Sequence, residues 1–255
     1  ANFINSCLED FAEVLRNHFR ENEYYDGEEK NCRIIMAILS NYTPECLVKT
    51  EVECSIECLR LAGEIDDPKD FAWKFEKAVQ IAKVDPHRAA THNKGIFNGI
   101  DAVALATGND FRAIEAGGHA FAARDGQYRS LTDIDISNDK FRYSLTIPLS
   151  LGTVGGLTAL LPMARFSLNL LGDPTAKELM MIAASVGLAN NFGALKSLVT
   201  KGIQIGHMKM HLLNILNNFE VNKREKELAV AHFTNYKVSY TSVKKFIEGI
   251  RKEAR

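Results

Sequence analysis

An aspartate followed by a proline occurs three times in this 255-residue chain, at Asp67-Pro68, Asp85-Pro86 and Asp173-Pro174. The pair punctuates a fold. Aspartate accepts hydrogen bonds from the free N–H groups of a helix's first turn, and proline at the first helical position gives up an N–H that has no partner there. Asp67-Pro68 and Asp173-Pro174 each precede apolar residues at helical spacing, so both are expected to open helices. The second helix is long and carries small residues (Ala183, Ala184, Ser185, Gly187, Ala189) that let a neighbour pack closely. Asp85-Pro86 precedes a polar cluster that reads as a loop, with Ala102 to Ala106 beyond it as a short buried strand.

The remaining elements follow from periodicity. Phe3, Ile4, Cys7, Leu8, Phe11, Val14 and Leu15 predict a helix from Asn2 to about Phe19. After a polar loop from Glu21 to Lys30, Arg33–Leu39 predicts a strand, and the alternation from Leu47 to Ile56 predicts another. Residues 110–124 have helical spacing. The segments 130–136 and 141–149 alternate around Ser137-Asn138-Asp139-Lys140, a hairpin turn. From Gly206 the chain becomes more basic and predicts an amphipathic helix to about Phe219, then two short helices near 223–233 and 241–252.

Composition excludes several classes. Apolar residues make up 46 % and charged residues 25 %, which is a globular rather than a disordered chain. The 31 basic and 32 acidic residues leave no basic excess for a nucleic-acid backbone. No uninterrupted apolar run approaches the roughly twenty residues of a membrane span, so neither nucleic acid nor membrane is expected as a partner. The five cysteines (Cys7, Cys32, Cys46, Cys54, Cys58) are odd in number and form no CxxC, and no secretory leader is expected. Free thiols in a reducing cytoplasm are the expectation.

Four places concentrate polar chemistry. In residues 85–99, eight of fifteen side chains can hydrogen-bond. There Arg88 suits bidentate grip of a carboxylate, and Lys94 suits an oxyanion. Thr107-Gly108-Asn109-Asp110 reads as a strand-to-helix junction, where Asp110 is either a catalytic group or a helix cap. Gly152-Thr-Val-Gly155-Gly156 matches neither GxGxxG nor a Walker loop, and is either a tight turn or a cradle of N–H groups for an anion. His207 and His211 lie four apart, a spacing open to acid–base work, to metal ligation in a hydrolase, or to plain surface histidines.

In order, the motifs Asp85-Pro-His-Arg-Ala-Ala-Thr-His-Asn-Lys-Gly-Ile, Asn98-Gly-Ile-Asp, Ala106-Thr-Gly-Asn-Asp110, Glu115-Ala-Gly-Gly-His-Ala, Leu151-Gly-Thr-Val-Gly-Gly and Gly202-Ile-Gln-Ile-Gly-His-Met208 resemble the hydroxymethylglutaryl-coenzyme A reductases of class II, the bacterial type. The resemblance is dense over residues 85–215 and looser on the flanks.

That resemblance implies an α+β fold with three parts. Residues 1–56 would be the second half of a small, ferredoxin-like, non-Rossmann NAD(P)-binding domain. Residues 57–205 would be part of a large domain with a central helix and surrounding sheets, and 206–255 a helical flap. It implies a four-electron reduction of hydroxymethylglutaryl-CoA to mevalonate and CoA with two NADH or NADPH, or the reverse, by a homodimer or larger assembly with its site at the subunit interface. Lys94 matches the catalytic lysine, Asp110 the aspartate that orients it, and His207 the histidine that protonates the leaving thiolate. Arg88 and Asn98 match substrate-holding residues, His211 would lie near the coenzyme, and Asn2 and Asn41 would line the cofactor cleft. The family's catalytic glutamate belongs ahead of the signature whose tail Ala1-Asn2-Phe3 resembles, and no glutamate here stands in a matching context. The chain is therefore expected to be a fragment. The alternative function is a catalytically incomplete unit that binds CoA thioesters or needs an N-terminal partner chain.

Overall fold

The computed structural model describes residues 2–63, 65–155, 160–200, 211–233, 236 and 238–253. Helices dominate: α1 (Asn2–Glu21), α2 (Pro68–Val84), α3 (Pro86–Ala106), α4 (Phe111–Ala122), α5 (Pro162–Leu170), α6 (Ala176–Val199), α7 (211–217), α8 (Lys223–His232) and α9 (Tyr240–Glu253). The strands β1 (Leu47–Ser55), β2 (Thr132–Ser137) and β3 (Lys140–Pro148) form one antiparallel sheet in the order β1-β3-β2. The α+β class is as expected, with one small sheet among the described residues.

Asp67 accepts from the N–H groups of Lys69 and Asp70, and Asp85 accepts from His87, so both pairs start helices. The polar stretch after Asp85 is therefore a helix and not a loop, and Ala102–Ala106 is its last turn and not a strand. Composition hid this, because two glycines (Gly95 and Gly99) and eight polar side chains lower the helical signal while packing on neighbours restores it. At the third pair Asp173 takes a left-handed conformation (φ 52°), and the cap is Thr175, which exchanges hydrogen bonds with Glu178.

Central strand β3 buries Phe141, Tyr143, Leu145 and Ile147 on its inner face. The hairpin to β2 turns at Asn138 and Asp139, both at positive φ, which these side chains tolerate. Residues 33–39 form no regular element and pair with no strand among the described residues, so the expected strand there is not formed. A ladder needs a neighbour, and the one side-chain tether in the segment is the N–H of Leu39 donating to Asn5 Oδ1 (2.8 Å). Strand β1, drawn at sequence level into residues 1–56, pairs along its whole length with β3.

Helix α3 is the buried axis, in contact with α2, α4, α5 and α6. It crosses α6 closely because Gly99 and Gly187 leave room: a Cβ on Gly99 would lie 2.7 Å from the carbonyl oxygen of Val186. Helix α6 has the length and composition of a membrane-crossing helix, but its Leu179, Ala183, Ala184, Leu188 and Leu195 are buried in this core. The C-terminal helices carry a separate small core of Leu212, Ile215, Leu216, Ala229, Phe233, Val243 and Ile247.

Candidate active site

The polar cluster of residues 85–99 divides by helix face. His92 and Asn93 point inward. His92 Nε2 and Thr132 Oγ1 lie 2.7 Å apart, while Asn93 donates to the carbonyl of Arg129 (2.8 Å) and accepts from the N–H of Leu131 (3.1 Å). Burial, and then the nearby charges of Arg88 and Lys83, push the His92 pKa down to about 3, so it is a neutral structural group. Lys94 and Asn98 are exposed, one turn apart and about 40° apart around the axis. Among the described residues Lys94 makes no ion pair or hydrogen bond, so its ammonium faces solvent with its donors uncommitted.

Arg88 sits about 120° around α3 from Lys94. It is half-buried, and burial lowers its pKa within electrostatic reach of Tyr143. Beneath it, the Tyr143 hydroxyl donates to Asn191 Oδ1, and Asn191 Nδ2 donates to the carbonyl of His92 (2.7 Å). Arg88 thus lies within electrostatic reach of a buried polar network, whereas Lys94 stands on an exposed stripe with Asn98.

Asp110 caps α4, accepting from the N–H groups of Arg112 and Ala113, and pairs with Arg112 Nε at 3.3 Å. Burial works to raise its pKa, but the Arg112 hydrogen bond, the backbone donors and the Arg112 charge together hold it below the usual carboxylate range. It is not the intrachain partner of Lys94. From Lys94 to the end of α3 is twelve residues, about 18 Å along the axis, beyond the reach of the two side chains. The junction at 107–110 is a turn between two helices, not a strand end.

Asn109, not singled out from sequence, joins two of the four clusters. Its amide nitrogen donates to the carbonyl of Gly152 (3.0 Å) and its amide oxygen accepts from the N–H of Gly152 (2.8 Å). The N–H of Gly152 is thereby committed and takes no part in an anion cradle. Residues 156–158 of that glycine-rich turn lie outside the described residues, as does His207 with the whole of 201–210. His211 is exposed at the start of the described part of α7.

Asn2 begins α1, whose first turn carries no acidic side chain, so an anionic group meets no like charge there. Asn41 is exposed, and its backbone oxygen crosses α4 at Gly117, 2.7 Å from where a Cβ would stand. On the same stripe of α3 as Lys94 and Asn98 lies Asp101, whose carboxyl faces Glu115 of α4. A cavity of about 450 Å³ opens elsewhere, between β1, the turn Ile56–Ala62 and α6, lined by Cys54, Cys58, Leu59, Phe141, Leu188 and Phe192. None of the motif residues reaches it.

Comparison with known proteins bears directly on this arrangement. The family described as hydroxymethylglutaryl-coenzyme A reductase matches residues 1–212. The 3-hydroxy-3-methylglutaryl-coenzyme A reductase of Archaeoglobus fulgidus is 50 % identical over 139 residues, covering 54 % of this chain and 32 % of that protein. A probable reductase of the same name from Borreliella burgdorferi is 33 % identical over 254 residues, covering 96 % of this chain and 56 % of that protein. The 3-hydroxy-3-methylglutaryl-coenzyme A reductase of Streptococcus pneumoniae superposes with a TM-score of 0.68 at 38 % identity, over 98 % of this chain and 57 % of that one. The class II reductase of the same organism bound to NADPH in open conformations gives 0.68 at 43 % identity, over 78 % of this chain and 51 % of that one. This chain spans well under two thirds of each of these relatives. By family match, sequence and fold together, it belongs to the hydroxymethylglutaryl-coenzyme A reductase family.

Proposed function

We propose that this chain forms the lysine-bearing half of a hydroxymethylglutaryl-coenzyme A reductase, which reduces the thioester to mevalonate and free CoA in the cytoplasm with two NADH or NADPH. The observation that carries this reading is the placement of Lys94: an uncommitted ammonium on the solvent face of the buried axial helix, one turn from Asn98, inside the motif that resembles the family's.

Reducing a thioester to an alcohol takes two hydrides and two protons and releases one thiol. Bound NADH or NADPH supplies the hydrides, and Asn2 and Asn41 are the residues here that would hold it. Each hydride turns a carbonyl oxygen into a developing oxyanion, and the Lys94 ammonium stabilises that charge in a water-poor cleft. The Arg88 guanidinium grips the distal carboxylate of the substrate, and Asn98 holds its hydroxyl. His207 protonates the departing CoA thiolate, with His211 near the coenzyme, roles that rest on the resemblance of Gly206-His207-Met208 and its flank. The C-terminal unit from 206 acts as the flap that brings this histidine in, while residues 1–46 contribute to the cofactor lobe.

Asp110 enters from a second copy of the chain. Its distance from Lys94 along α3 supports this, and so does the apolar stripe of α5, where Met163, Phe166 and Leu170 are 70 %, 58 % and 76 % exposed at helical spacing. A homodimer with paired sites accounts for both features.

The test is the loss of NADH or NADPH absorbance with hydroxymethylglutaryl-CoA, for the purified chain alone and with the unmatched part of the Streptococcus pneumoniae enzyme added. Turnover that disappears in Lys94→Ala is the expected result. No turnover under either condition, with hydroxymethylglutaryl-CoA still bound, would replace this reading with that of a thioester-binding unit.

A further inference from the structure

We propose that Asp101 and Glu115 share one proton across the contact between α3 and α4, and that this shared proton sets how α4, with Asp110 at its start, sits against the helix that carries Lys94 and Asn98. Asp101 is thus a positioning residue; only its catalytic consequence rests on the reductase reading.

The argument begins from an unsatisfied atom. Asp101 Oδ1 is shut off from solvent and has no hydrogen-bond donor. A buried acceptor left without a donor is costly, and such groups call for an explanation. The group it faces is the carboxylate of Glu115, which is also only an acceptor when ionised. Two facing carboxylates repel each other, but a single proton held between them satisfies both oxygens and removes the repulsion. Burial first, and the Glu115 charge and hydrogen bond after it, push the Asp101 pKa up to about 6.

No nearby cation takes over this role among the described residues. Arg112, one turn before Glu115, is engaged with Asp110. His119, one turn after it, shares a hydrogen bond with Tyr128 (2.7 Å). Lys94 lies two turns away on α3, about 10 Å along the axis.

Other α3–α4 contacts are packing contacts. Phe97 packs on His119 with ring centroids 4.5 Å apart, and Gly118 leaves room for the Phe97 ring. These contacts set how closely the two helices approach, and the carboxyl pair adds a polar tie between them. The start of α4 also carries Asn109, which anchors the glycine-rich turn through Gly152. A change at the pair therefore reaches both Asp110 and that turn.

The experiment is a carboxyl-detected 13C NMR titration of the intact chain, read together with the amide resonances of α4, in wild type, Asp101→Asn and Glu115→Gln. The expected result is one carboxyl of the pair titrating near 6, with the α4 amides from Phe111 to Gly118 shifting at the same midpoint. Glu115→Gln lowers the Asp101 midpoint. Asp101→Asn, whose amide donates permanently, holds the α4 amides at their low-pH positions throughout. If both carboxyls titrate in the ordinary range below 5, the shared proton is overturned. If Asp101 titrates near 6 while the α4 amides stay still, its positioning role is overturned. Absence of reductase turnover would count against the proposed function and leave this titration to decide the present inference.

Discussion

Asn109 and Gly152 hold each other by a reciprocal pair of hydrogen bonds, amide to backbone in both directions, at 3.0 and 2.8 Å. Forty-three residues apart in sequence, they tie the turn before α4 to the glycine-rich turn after β3. Asn109→Ala removes both bonds but leaves Gly152 open to water, so the expected loss of stability is modest, about 1 kcal/mol. The loss of order in the glycine-rich turn is larger. Thermal unfolding should shift by a few degrees, while on the proposed function, with this motif turn lining the site, reductase turnover measured in the same preparation falls about tenfold or more. Equal turnover in wild type and variant would separate this turn from the site.

Acid should destabilise the chain through His92. Its folded-state pKa is depressed to about 3, below the ordinary value near 6.5. Between those values the unfolded chain binds the proton and the folded chain does not. Stability contributed by the neutral, buried imidazole is therefore complete above about pH 6.5 and is lost as pH falls toward 3, with a slope of up to about 1.4 kcal/mol per pH unit. Asp101 acts in the opposite sense: its raised value means that stability falls as pH rises from about 4 through 6. Denaturant unfolding against pH distinguishes the two. His92→Gln should lose the acid-side fall and Asp101→Asn the fall between pH 4 and 6, each leaving the other intact.

How much of this was legible in the chain itself differs from element to element. The helix cap at Asp67, the 137–140 hairpin and the α6 stripe of small residues follow from local rules, and local rules are readable, although at the third Asp-Pro pair the cap proved to be Thr175 and not Asp173. Helix α3 was not, although it is the axis of the fold. Its glycines and inward-facing His92 and Asn93 lower its intrinsic propensity, and their justification lies in partners 36 to 99 residues away, such as Arg129, Thr132 and Asn191. Residues 33–39 fail in the other direction. Their β propensity is high, yet a strand is a relation between two segments, and no described segment lies alongside. Within the site, residue types pointed to Lys94 and Arg88, and the family resemblance added Asn98. The separation of Asp110 from Lys94 emerged only once the intervening stretch proved to be helix, because a helix converts sequence separation into a fixed length.

The close crossing of α3 and α6 makes a prediction with a built-in control. A Cβ at Gly99 would meet the Val186 carbonyl oxygen at 2.7 Å and the Asn190 Cβ at 3.1 Å, both on α6. Backbone cannot yield as a flexible side chain can, so the two helices must separate. Gly99→Ala is expected to cost about 1–3 kcal/mol. Gly193 lies on the same α6, but a Cβ there would meet nothing within 4 Å. Gly193→Ala should therefore leave stability unchanged or raise it by up to about 1 kcal/mol through helix propensity. Urea unfolding midpoints of the two variants would show whether the crossing distance, and not glycine content, is what the sequence protects.

Asn93 and Lys94 are neighbours in sequence and opposites in physics, which separates folding from function on a single helix. Asn93 is fully buried and joins α3 to the segment before β2 through the Arg129 carbonyl and the Leu131 N–H. Its truncation to alanine leaves two buried backbone groups without partners, at a cost of about 2–4 kcal/mol. Lys94 is exposed and contributes no described contact, so Lys94→Ala should leave the unfolding midpoint within the error of the wild type. On the proposed function its effect belongs to the transition state, where loss of an oxyanion-stabilising cation is expected to cut turnover by a factor of at least about 100. Measured side by side, Asn93→Ala should lower the fraction folded while the turnover of the surviving folded molecules stays near wild type, and Lys94→Ala should do the reverse. A destabilised Lys94→Ala would mean that the side chain packs in the fold, and the catalytic assignment of this stripe would have to be abandoned.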